Sequence, residues 1–140
     1  MSRITFLKVK TNQEKLVSIT KIVERHFDSA QNILISTPND QVANYIDQLL
    51  WRMTEESFIP HKIATEPCKD AVIITSTPEN FNEASVLINL CPGCPPSFNE
   101  FTTVYELYDL THPEKEALSK SRHESYLQSN SKIFMQDAIN

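Results

Sequence analysis

A chain of 140 residues with 40% apolar and 22% charged side chains has the size and balance of a soluble globular domain, which excludes a disordered or fibrous protein. Its formal net charge of -5 argues against a protein that grips duplex DNA through many phosphates, since that task wants an excess of Lys and Arg on one face. A local basic patch on so acidic a chain would instead suit an acidic peptide.

In chain order, Ile4 to Val9 (ITFLKV) reads as a short strand. The charges in MSRITFLKVK stand where a signal peptide would carry its apolar core, and no apolar run is long enough to cross a bilayer, so the chain is expected in the cytoplasm and off the membrane. Leu16, Ile19, Val23 and Phe27 recur at helical spacing, and Asn32 to Ser36 (NILIS) is a second strand, which completes a β-α-β unit. Thr37-Pro38-Asn39-Asp40 is a turn with an N-cap candidate, after which Val42, Ile46, Leu49 and Leu50 mark a helix ending near Trp51. Ala71 to Thr75 and Ser85 to Leu90 are apolar runs between turn signals and read as buried strands.

Ser97 and Glu100 have the spacing of a capping box, with Phe98, Phe101 and Val104 as the apolar face of a short third helix, and a strand from Tyr105 to Leu110 follows. Thr111 with Glu114 is a second capping box, and Pro113 suits a first helical turn, so a last helix is expected from about His112 to Gln128. The polar tail beyond Asn130 is expected to fray. With no repeat or linker in sight, the pattern predicts a single domain over residues 1–140, an α/β fold around a mostly parallel sheet.

The one glycine, Gly93, rules out both GxGxxG and GxxxxGK[ST], because those loops need several residues without a Cβ against phosphate. Cys91-Pro92-Gly93-Cys94 is the catalytic-looking motif, either a redox pair or half a zinc site. Yet Pro95, Pro96 and the Ser97 cap put the next helix start too far from Cys91 to lower its pKa, and zinc would have to recruit Cys68 and His61. A Cys-His hydrolase built from Cys68, His61 and Asp70 is not enforced by any spacing, and His26, His61, His112 and His123 show no ligand spacing. Three cysteines fit a reducing compartment as free thiols. The residues thus favour a protein of surfaces rather than of catalysis, with no cofactor.

The strongest local signal is Leu50 to Lys62, LWRMTEESFIPHK, where a helix ends on the single tryptophan and a loop brings Phe58 and Pro60 beside His61. Large aromatics so placed either plug a sheet edge or anchor a partner. Leu50-Trp51, a short polar spacer and Glu56-Ser57-Phe58-Ile59-Pro60-His61 resemble the characteristic segment of the chi subunit family of bacterial DNA polymerase III. Val86-Leu87-Ile88-Asn89-Leu90, with Pro92, Pro95, Phe98 and Phe101 after it, is similar to that family's VLINL segment and the turn that follows.

The resemblance implies a three-layer α/β/α domain, Rossmann-like but without a nucleotide site. It also implies an accessory subunit without catalysis, which couples the clamp loader, through the psi subunit, to the acidic, Phe-ending tail of single-stranded DNA-binding protein. Trp51, Phe58 and Pro60 match the segment that packs against psi or an alternative partner such as a helicase. On the last helix, Lys120, Arg122, His123 and Tyr126, with Leu118 and Leu110 as apolar neighbours, match the tail-binding side, with cations for the tail's carboxylates and a slot for its Phe. Direct nucleic-acid binding is expected to be slight. The remaining alternative is a small redox or zinc protein using Cys91 and Cys94.

Overall fold

The computed structural model describes residues 2–53, 56, 58–77 and 79–138. In order these form β1 (Arg3–Val9), α1 (Asn12–Asp28), β2 (Ile33–Ser36), α2 (Asp40–Met53), β3 (Lys62–Ile63), β4 (Val72–Thr75), β5 (Val86–Asn89), a 3-10 turn (Phe98–Glu100), β6 (Thr103–Asp109), α3 (Pro113–Gln128) and β7 (Lys132–Asp137). All seven strands are parallel, in the order β3-β4-β2-β5-β6-β1-β7. The expected three-layer α/β/α architecture is therefore what forms.

Alternation along the strands separates two cores. Leu7, Ile33, Ile35, Val72, Ile74, Val86, Ile88 and Leu107 face α1 and α2, where Ile19, Ile22, Val23, Ile46, Leu49 and Leu50 cover them. Ile4, Phe6, Leu34, Ile73, Leu87 and Val104 face the other way, under α3 and the loops that bring in Phe81 and Phe101. Because β4 and β5 are covered on both faces they read as nearly continuous apolar runs, which is why they were visible in the sequence.

Caps set the helix starts. The Thr11 hydroxyl oxygen accepts from the Glu14 N–H at 3.0 Å, and the Glu14 carboxylate accepts from the Lys10 N–H at 2.8 Å, a reciprocal lock on α1. Asn39 Oδ1 accepts from the Val42 N–H at 2.9 Å to start α2.

Three expectations need correction. Ser97 makes no cap hydrogen bond and only a 3-10 turn forms there, because Phe101 is already extended and Val104 belongs to β6. Thr111 does not cap α3; its hydroxyl donates back to Asp109, and His112 holds the N-cap position ahead of Pro113. Residues 132–137, expected to fray, form β7 along the outer side of β1, where Ile133 and Phe134 have β-prone side chains and the exposed edge tolerates the polar ones.

Helices α1 and α3 both end in a Schellman motif without glycine. Gln31 N–H donates to His26 O at 3.0 Å with Ala30 at φ 58°, and Ser131 N–H donates to Tyr126 O at 3.4 Å with Asn130 at φ 59°. Asparagine tolerates the left-handed region, whereas alanine is strained there. Ala30→Gly should therefore stabilise the fold by about 1 kcal/mol, read as a raised denaturant midpoint at unchanged slope.

Candidate functional site

The cleft at the carboxyl ends of the strands, between α1 on one face and α3 on the other, is where doubly wound sheets commonly bind nucleotides. Here it has a volume of about 320 Å³ and includes Lys15, Leu16, Tyr45, Asp109 and Lys115 in its wall. Its floor is internally satisfied, since Lys15 Nζ meets Asp109 at 2.6 Å and the α1 N-terminus is occupied by its own Thr11 and Glu14. Burial acts to raise the Asp109 carboxyl, but donors from Lys15 and Thr111 outweigh it and hold the group below the usual carboxylate range.

Beneath α3 lies an ionic network. Glu106, on β6 and fully buried, receives Arg122 Nε at 2.9 Å on one oxygen, and the Tyr126 hydroxyl at 2.7 Å and Asn89 Nδ2 at 2.8 Å on the other. Asn89 is the register partner of Glu106 across β5 and β6. Arg122 also donates to Pro92 O at 3.1 Å and Leu107 O at 2.9 Å, so its guanidinium is almost spent inside the molecule. Burial pushes the Glu106 carboxyl up to about 7, against the pull of Arg122, Tyr126 and Asn89. Burial and the Glu106 charge push the Tyr126 phenol up in turn, leaving it a permanent donor.

The structure thus divides the residues expected on the last helix. Arg122 and Tyr126 point inward and hold α3 to the sheet, with 9% and 1% of their surface exposed. Lys120 is exposed, and Leu118 is exposed on the rim of the strand-end cleft. His123 and Leu110 come together in a different cleft of about 400 Å³, completed by Lys8, Tyr108 and Met135. The His123 ring packs edge-on against Phe6 at 5.2 Å and Tyr108 at 6.4 Å. Lys8, Tyr108 and Met135 escaped the sequence reading, although strand alternation sets Lys8 on the same face as Phe6 and next to Tyr108 in register. Met135 was hidden in the segment expected to fray.

The aromatic segment lies at the other edge of the sheet, beside β3. Leu49 and Leu50 are buried, but Trp51 is 45% exposed and Phe58 74% exposed, so neither plugs the sheet edge. Phe58 has φ 47°, a left-handed backbone that turns its ring outward while Ile59 and His61 turn in. Pro60 is exposed, Trp51 stacks on His61 with ring centroids 4.2 Å apart, and Ser57 of the motif lies outside the described residues.

The cysteines give no comparable site. Cys68, Cys91 and Cys94 are free and half-buried. Cys94 rests against Arg122 O, and burial, then the Glu106 charge, raises its thiol pKa, the opposite of what a nucleophilic or metal-binding thiolate requires. Among the described residues no helix is long and apolar enough to cross a membrane, and no three His, Cys, Asp or Glu side chains are placed to hold a metal ion.

A family model described as DNA polymerase III chi subunit, HolC, matches residues 1–133. A probable DNA polymerase III subunit chi of Rickettsia prowazekii (strain Madrid E) is 30% identical over 84 residues, which are 59% of this chain and 51% of that protein. The DNA polymerase III subunit chi of Escherichia coli (strain K12) is 28% identical over 112 residues, 77% of this chain and 73% of its own. The match thus spans about half the length of the first relative and rather more of the second.

Two measurements test the ionic network. Arg122→Ala leaves a buried carboxylate without its cation and should cost about 3–5 kcal/mol in denaturant unfolding. Glu106 has a folded pKa of about 7 against an ordinary 4.5, so between those values the folded chain binds a proton that the unfolded chain lacks. Its contribution is complete below the lower value and is lost as pH rises through the upper one, with a slope of at most about 1.4 kcal/mol per pH unit. The stability of the native chain relative to Glu106→Gln should therefore rise as pH falls from 7.5 towards 5, and a flat difference would refute it.

Proposed function

Because the chain belongs to the DNA polymerase III chi subunit family, we propose that it is a non-catalytic adaptor in the cytoplasm. On this reading it couples the clamp loader, through psi or an equivalent partner, to the C-terminal tail of single-stranded DNA-binding protein. Its place among the subunits of DNA polymerase III, and so in DNA replication, follows from the family; the partners are our inference.

One observation carries the reading. Two surfaces of different chemistry stand at opposite edges of the sheet, Trp51, Phe58 and Pro60 beside β3, and the cleft of Lys8, Leu110, His123 and Met135 beside β7. The first is aromatic and apolar, the residue chemistry most enriched at the centre of protein interfaces, and takes psi or, alternatively, a helicase. The second offers an ammonium and an imidazole beside an apolar slot, which suits a tail that ends in acidic residues and a Phe. Lys120 stands one helical turn before His123 and extends that positive rim. Arg122 and Tyr126 serve the tail site from beneath, by fixing the helix that carries Lys120 and His123. Leu118 lies on the far side of the helix, at the strand-end cleft, and stands apart from this site.

A synthetic peptide ending in acidic residues and Pro-Phe should bind with a dissociation constant on the order of micromolar, and should weaken as salt rises. Lys8→Ala and His123→Ala should each weaken it several-fold, while Trp51→Ala and Phe58→Ala leave it intact and abolish capture of the clamp-loader partner. Titration calorimetry at low and high salt and co-purification decide the two halves separately. Peptide binding that ignores both Lys8→Ala and His123→Ala would remove the tail site from this cleft.

A further inference from the structure

The setting of Trp51 depends on a side chain that is itself hidden. His61 has a fully buried side chain, and its ring lies against the exposed indole with centroids 4.2 Å apart and planes 40° from parallel. Nδ1 lies 2.9 Å from Ile59 O, and Nε2 lies 3.1 Å from Asp47 O and 3.4 Å from the Asp47 carboxylate. Carbonyl oxygens only accept, and a neutral imidazole donates from one nitrogen only. Whichever tautomer is present, one of these is a full hydrogen bond and the ring is held between the Ile59 loop and α2.

The other charged neighbour on the same segment, Lys62, is directed elsewhere, 3.4 Å from Asp70. Asp47 and Trp51 are one helical turn apart on α2, so the ring bridges α2 to the Ile59 loop and supports the indole lying over it.

We propose that His61 is the positioning residue of the Trp51 surface, holding the indole in its half-exposed setting by tying its own ring to α2 and to the Ile59 loop. The inference rests on Trp51 being the clamp-loader-side anchor, and it adds what presents that anchor. A ring already ordered before docking loses less freedom on binding, so His61 raises affinity without touching the partner.

Trp51 is the single tryptophan, so indole fluorescence reports its setting. Losing the stacked ring should free the indole, so emission of His61→Gln should shift to the red and become more accessible to acrylamide than that of the native chain. An emission spectrum and quenching that His61→Gln leaves unaltered overturn the proposal. If His61→Gln does not fold by circular dichroism, His61→Phe, which keeps a ring but loses its hydrogen bonds, decides alone, and native emission and quenching there overturn it.

Co-purification of the clamp-loader partner from cells expressing both chains should weaken roughly tenfold in His61→Gln with Trp51 still present. Capture equal to that of the native chain overturns the positioning role. Undiminished capture by Trp51→Ala overturns the docking reading instead, and the emission result then still decides whether His61 sets the indole.

Discussion

The buried Glu106–Arg122 pair is the constraint around which this molecule is organised. A carboxylate at the centre of a largely apolar sheet is tolerable only with a cation and further donors at hand, and two elements converge to provide them. Asn89 comes from β5, Arg122 and Tyr126 from α3, and the spare guanidinium donors reach Pro92 O and Leu107 O. Helix α3 is consequently held by directional bonds as much as by packing. Its register on the sheet is fixed to a single arrangement, because a shift of one residue would carry Arg122 off its carboxylate. The same bonds fix the loop after β5 and so the surroundings of Cys94. His123, the next residue along the helix, is turned out to the cleft shared with Lys8 and Met135.

That arrangement explains what could and could not be read from the residues. The β1-α1-β2 unit, α2 and the apolar runs of β4 and β5 were legible because their buried positions are aliphatic and keep the period of their element. Helix α3 was legible in extent but not in orientation, since the residues it buries are Ser119, Arg122 and Tyr126. A buried stripe of polar side chains has the same spelling as a solvated one, and Arg122 with Tyr126 was accordingly assigned to the surface. The available clue was Glu106, an acid inside VYELYDL, whose burial demands a cation from elsewhere in the chain. At Trp51 and Phe58 the reverse holds, because apolar residues by themselves suggest a core, whereas Trp51 lies on the exposed side of α2 and the left-handed turn at Phe58 sends that ring outward. Edge strand β7 was missed because an edge needs no continuous apolar run.

The fold also sets the two proposed docking surfaces apart. Strands β3 and β7 terminate a sheet seven strands wide, so the two proposed docking surfaces are roughly 30 Å apart at about 4.8 Å per strand. Occupants on the two edges need not touch, and neither has to displace the other. In the strand-end cleft, Lys15 is engaged by Asp109 and Thr11 by the Glu14 N–H, so these groups are committed inside the molecule. On the proposed reading, linking two partners through a rigid sheet would raise the local concentration of one about the other.

The pairing of β1 bears on how the polypeptide is made. Arg3 lies beside Thr103 on one side and Lys132 on the other, so the earliest strand has both of its neighbours in the last third of the described chain. During synthesis β1 must wait, apolar and unpaired, until β6 has left the ribosome, and it stays an open edge until α3 has crossed back and laid β7 beside it. Long-range parallel pairing of this kind makes for slow folding and a prolonged exposure of sticky surface. Nascent chains interrupted before β6 should accordingly be clients of chaperones, and the half-life of that exposed strand, more than the stability of the finished sheet, would limit how much of the subunit a cell accumulates.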